Sequence, residues 1–129
     1  MKKIVLFFVA FFAIALIGNA YAFSRGIYVR QETAQNKTKM AYLISNAKKY
    51  GIDTFIIDVN GQSKAYAASV KNVIQNGIHY VARVVVFPHG GTLAQVTDRS
   101  IWAKRLALAK YAAGLGATSI QLDFIRFRS

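Results

Sequence analysis

Two hydrophobic periods take turns along the chain. "GIYVR" (Gly26–Arg30) is short and apolar, with the look of a strand. In Lys37–Gly51 the apolar residues Met40, Leu43, Ile44 and Ala47 fall at helical spacing, and Gly51 supplies a stop. "DTFIIDVN" (Asp53–Asn60) is β-branched and apolar on successive residues, which predicts a strand buried on both faces. Ala65–Gly77 returns to the helical period, with Tyr66, Val70, Val73 and Ile74 on one face and Gly77 at its end. "HYVARVVVF" (His79–Phe87) is the strongest strand pattern, closed by Pro88 and the Gly90-Gly91 pair. Asp98–Gly116 predicts a helix opened by an aspartate, and "TSIQLDFIRF" (Thr118–Phe127) a fourth strand whose apolar residues head for a core.

The order strand, helix, strand, helix, strand, helix, strand, with fully apolar strands, implies an α/β fold in which helices cover a parallel sheet. Right-handed crossovers then bring every strand's C-terminal end to one edge. Charges embedded in the apolar runs collect there: Asp58 ends the second strand, Asp123 lies in the second half of the fourth, and Arg83 interrupts the third. Two carboxylates facing one cleft suit acid and base, or nucleophile and acid, at a glycosidic bond. Arg83 or Arg126 between them would hold one ionised. The other reading is a buried ion pair of Asp123 with Arg83 or Arg126 that only fixes strand register. Parity constrains both, because Asp123 and Arg126 share a cleft only if the strand ends or bends near Ile125.

Residues 1–22 have the layout of a signal peptide: Lys2 and Lys3, an apolar run from Ile4 to Ile17, a Gly18-Asn19 break and a small-residue Ala20-Tyr21-Ala22 site. Cleavage there would export a single domain, residues 23–129, to the periplasm or the exterior. An uncleaved Ile4–Phe23 segment is just long enough to anchor the chain in a membrane instead. There is no cysteine, so an exported domain would fold without disulfides.

The formal net charge is +12, from 17 basic and 5 acidic residues. Such a surface favours acidic polysaccharide, lipid headgroups or nucleic acid. The basic residues Lys37, Lys39, Lys48, Lys49, Lys64, Lys71, Lys104, Arg105 and Lys110 are scattered over predicted helices, so no nucleic-acid partner is expected. His79 and His89 lack a metal-site spacing, and neither a metal nor another cofactor is implied. Gly90-Gly91 reads as a turn and Asn36-Lys37-Thr38 as a chance sequon. Trp102 and Tyr111 read as core residues, while Tyr28 could face either way.

The strand segments "GIYV", "FIIDVN", "GIHYVARVVVF" and "LGATSIQLDFIRF" resemble, in the same order, the strand motifs of the DUF4015 family of glycoside-hydrolase-like proteins. The family pattern runs approximately G-I-Y-V, V-I-D-V-K, G-I-Y-x-I-A-R-I-V-V-F and G-F-D-E-I-Q-F-D-Y-I-R-F-P. The resemblance covers nearly all of residues 23–129 and implies a TIM-barrel, amylase-like domain acting on polysaccharide. Carried over residue by residue, Asp58 matches the acid of the second motif, Arg83 the arginine of the third, and Gln121, Asp123 and Arg126 the Q-x-D-x-x-R of the fourth. Asp123 and Asp58 are thereby the implied catalytic carboxylates, with Arg83, Gln121 and Arg126 binding substrate or stabilising charge.

The departures from that pattern are specific. Asn60-Gly61-Gln62-Ser63 replaces an acidic stretch, the Pro88–Thr97 loop is shorter and lacks a tryptophan, and Arg128 stands where the family has proline. Four predicted strands also match only the N-terminal half of a barrel that needs eight. The expectation is therefore a half-barrel, inactive alone, that is a truncated hydrolase, pairs with a second copy, or binds a separately encoded half. The contrasting expectation is a non-catalytic exported module that binds acidic glycans or envelope polymers through its basic surface.

Overall fold

The computed structural model describes residues 25–128. The proposed leader lies outside that range, and among the described residues no helix is long and apolar enough to cross a membrane. The elements run β1 (Gly26–Val29), α1 (Gln31–Ala34), α2 (Lys37–Tyr50), β2 (Thr54–Asp58), α3 (Lys64–Gln75), β3 (His79–Val85), α4 (Leu93–Thr97), α5 (Arg99–Gly114) and β4 (Ser119–Asp123).

Local chemistry explains the helix ends. Asn36 and Ser63 accept the Lys39 and Tyr66 amide protons at the heads of α2 and α3, and Asp98 accepts that of Ser100 at the head of α5. Asp98 is therefore the cap of α5 and not its first turn. Gly51 ends α2 at φ 66°, a left-handed conformation that costs a side-chain-bearing residue more than glycine.

The four strands form one parallel sheet in the order β1-β2-β3-β4. Each crossover advances one position in the same direction, so right-handed connections lay the principal helices on one face. That progression belongs to consecutive units of a (β/α) barrel. A doubly wound sheet would reverse its order part-way. The chain is thus α/β, a four-strand, partial barrel-like sheet with its helices on one side.

Period-two alternation sorts the strand residues. Phe55, Ile57, Tyr80, Ala82 and Val84 are wholly buried toward the helices, where they join Met40, Ala47, Tyr66, Val70, Val73 and Ala112 in one core. The opposite face carries Tyr28, Ile56, Val81 and Ser119 in register, then Asp58, Arg83 and Gln121. Ile56 and Val81 are only half-buried there, and Tyr28 is 52% exposed.

Several expectations are corrected. β3 ends at Val85, although the Val86 and Phe87 amides still donate to the Asp123 and Phe124 carbonyls at 2.9 and 3.1 Å. β4 ends at Asp123, because Phe124 takes φ 55° and breaks the extended chain. Most of the fourth-strand apolar residues miss the core: Leu122, Ile125 and Phe127 are exposed, while Ile120 is half-buried against it. Ile74 is partly exposed at the rim of α3. Trp102 lies at the surface, its ring edge-to-face with Phe87 at 5.5 Å and its indole N–H donating to the Val96 carbonyl at 2.7 Å. Tyr111 does reach the core, against Tyr66.

Candidate functional site

Asp58 and Asp123 sit at the C-terminal ends of β2 and β4, with Arg83 on the strand between them. Alternation points all three to the face away from the helices. Arg83 bridges the two acids. Its Nη1 donates to Asp58 Oδ1 at 2.7 Å, and its Nε and Nη2 both reach Asp123 Oδ2, at 2.7 and 2.6 Å. The remaining oxygens are also engaged: Asp58 Oδ2 accepts the Tyr28 hydroxyl proton, and Asp123 Oδ1 accepts the Phe124 amide at 2.8 Å.

The members differ in access. The Arg83 and Asp58 side chains are only 15% and 10% exposed, whereas that of Asp123 is 36% exposed. Arg83, first, and then the Phe124 amide hold the Asp123 carboxyl below the ordinary carboxylate range. Partial burial works against the charge on Arg83, but the bonds to Asp58 and Asp123 outweigh it and raise its pKa. Burial, with the bond to Asp58, likewise raises the Tyr28 phenol.

Rings and guanidinium groups then alternate across the site. The Arg83 guanidinium carbon lies 5.1 Å from the Tyr28 ring centre and 5.7 Å from that of Phe124, and Arg126 lies 5.5 Å from the Phe124 ring. Phe124 is the one non-glycine residue with positive φ among those described. Its turn ends the strand just after Asp123 and brings Arg126 to the rim without violating strand parity.

All five residues expected at the site lie along this edge. Asp58, Arg83 and Asp123 form a contact triad, Arg126 joins through Phe124, and Gln121 is Arg83's register partner with an exposed side chain. Sequence reasoning left Tyr28 undecided and counted Phe124 as core. The signal for Tyr28 was its parity: it shares a face with Gly26 and Arg30, while Ile27 and Val29 share the apolar one. Phe124 had no comparable signal.

From α1, buried Gln31 steadies the loop after Asp58. Its Oε1 accepts the Asn60 amide and, at 3.2 Å, the Gly61 amide, while its Nε2 donates to the Gly61 carbonyl at 3.2 Å. Together the strand ends and this clamp fix a carboxylate–guanidinium–carboxylate array with one partly open acid.

No protein-family model matches the chain, and no curated protein matches it. Among solved structures it is similar to a hypothetical protein from Ruminiclostridium thermocellum ATCC 27405, with a TM-score of 0.65 and 18% identity over 80% of this chain and 78% of that one. The likeness is one of fold.

Proposed function

We propose that the chain supplies one side of a carbohydrate-cleaving site of the DUF4015 glycoside-hydrolase type, with Asp123 facing the positive charge that develops on the sugar ring. The carrying observation is the convergence of Asp58, Arg83, Asp123 and Tyr28 at the C-terminal edge of a parallel sheet whose strands follow in barrel order. Barrel enzymes place their chemistry at that edge. Glycosidic cleavage passes through an oxocarbenium-like transition state, which a pre-positioned anion stabilises. Asp123 suits that task because it is held below the ordinary carboxylate range, fixed through both oxygens and open to solvent.

Asp58 is buried, with Arg83 and Tyr28 on its two oxygens, and so suits positioning better than proton transfer. On this reading the general acid comes from a group beyond the described residues, and the chain alone is inactive. Export after cleavage at Ala22 would bring the site to polysaccharide outside the cell.

The triad's formal charge of about −1 should favour a cationic sugar mimic. Isothermal titration with the iminosugar deoxynojirimycin is therefore the test, with glucose as the neutral control. Preferential binding of the iminosugar, at least tenfold weaker in Asp123→Asn, is expected. No preference for the iminosugar, or full preference in the variant, would overturn the reading. Arg83's engagement with both acids also favours a second reading, a purely structural clamp. In that case Asp123→Asn changes stability and no ligand affinity.

A further inference from the structure

The loop after β3 and the first turns of α5 enclose a pocket of about 270 Å³, separate from the triad. Phe87 and Ile101 give it apolar walls, and Lys104, Arg105, His89 and Gln95 bring polar groups to it. No carboxylate lines it. Asp98, whose carboxylate caps the Ser100 amide at the head of α5, does not line it.

Arg105 shares this pocket with Lys104. Its Nε is buried and has no hydrogen-bond partner among the described residues, the one such side-chain atom among them. The guanidinium keeps four further N–H donors on its terminal nitrogens, and such donors pair best with an anion. Arg105 also lines the neighbouring apolar groove between α5 and β4, which offers it no acceptor side chain. An anion arriving beside Lys104 and Arg105 would meet two formal positive charges, in a chain whose net charge is +12.

The pocket belongs to the same edge as the triad. Val86 donates to the Asp123 carbonyl at 2.9 Å and Gly91 to that of Arg126 at 2.9 Å, so the loop and the end of β4 share one backbone frame. Its volume is below that of a drug-sized site and fits roughly one ring. An apolar wall with a cationic rim matches a sugar ring bearing an acidic substituent better than a bare ion.

We infer that this pocket is a subsite for the anionic group of an acidic sugar, its carboxylate or ester anion held by Lys104 and Arg105. The inference rests on the carbohydrate reading above and narrows it to acidic glycans. Titration of the full chain with glucuronate, glucose and inorganic phosphate tests it. Glucuronate should bind at least tenfold more tightly than either glucose or phosphate. Lys104→Gln, at an exposed position, and Arg105→Gln should each weaken glucuronate about tenfold, while Lys104→Gln leaves deoxynojirimycin binding unchanged.

Equal affinity for glucose and glucuronate overturns the subsite, as does unaltered glucuronate affinity in Lys104→Gln. Phosphate binding as tight as glucuronate overturns the sugar assignment. Loss of glucuronate selectivity with iminosugar binding intact refutes this pocket alone, whereas the reverse pattern refutes the Asp123 reading alone.

Discussion

Arg83 makes the site by satisfying two acids at once, and the consequence for Asp123 can be measured. A carboxyl whose folded pKa lies below its free value of 3.8 adds stability that is fully present above that value. The contribution is lost as the pH falls through the lower, folded value. Asp123→Asn should therefore be less stable than the parent at neutral pH, and the gap should close below about pH 4. Chemical denaturation across that range checks it, and a gap that widened toward acid would contradict the Arg83–Asp123 geometry. At this scale the sequence was informative wherever a charge interrupted an apolar run, as Asp58, Arg83 and Asp123 do. It was less so for Phe124, because a phenylalanine between Asp123 and Ile125 gives no sign that its backbone turns left-handed.

Among the elements, β3 and α3 are joined by a buried hydroxyl pair, Tyr66 to Tyr80 at 2.8 Å, with the rings edge-to-face at 6.4 Å. Burial pushes the Tyr80 phenol up to about 12 and raises Tyr66 further, so neither ionises at neutral pH. Tyr80→Phe would strand the Tyr66 hydroxyl in the core, at a cost of about 1–3 kcal/mol. Removing both hydroxyls should cost less than the two single changes summed, and a double-mutant cycle reads the difference. Helices α2, α3 and α5 were legible because each repeats its period over several turns. Helices α1 and α4, with 4 and 5 residues, are too short to show one. Yet α1 supplies Gln31, the clamp behind Asp58.

Across the whole molecule, apolar surface is unevenly covered. The helix side of β1, β2 and β3 is buried, but a groove of about 570 Å³ between α5 and β4 leaves Leu106 and Leu122 at 55% and 49% exposure. Leu106→Gln should thus change stability by no more than about 0.5 kcal/mol. It should also reduce binding of a hydrophobic dye such as ANS, and a large loss of stability would show that the groove is filled in solution. The order of elements foretold the sheet, because apolar strands separated by helices have few other solutions. The half-barrel reading implied incomplete cover, but the exposure of Leu122 was not legible, since it depends on how α5 seats against β4 rather than on its own neighbours in sequence. The strand order has a further consequence for how the chain acquires its shape. Every strand pairs with the one synthesised just before it, so no early strand must wait for a late partner to be inserted between its neighbours. Structure can accrue unit by unit as the chain emerges, each loop closure spanning only one crossover. The ion triad is the exception: Asp58 and Arg83 can meet first, and Asp123 joins them only when β4 arrives, which makes the triad's edge the last part of the sheet to be completed.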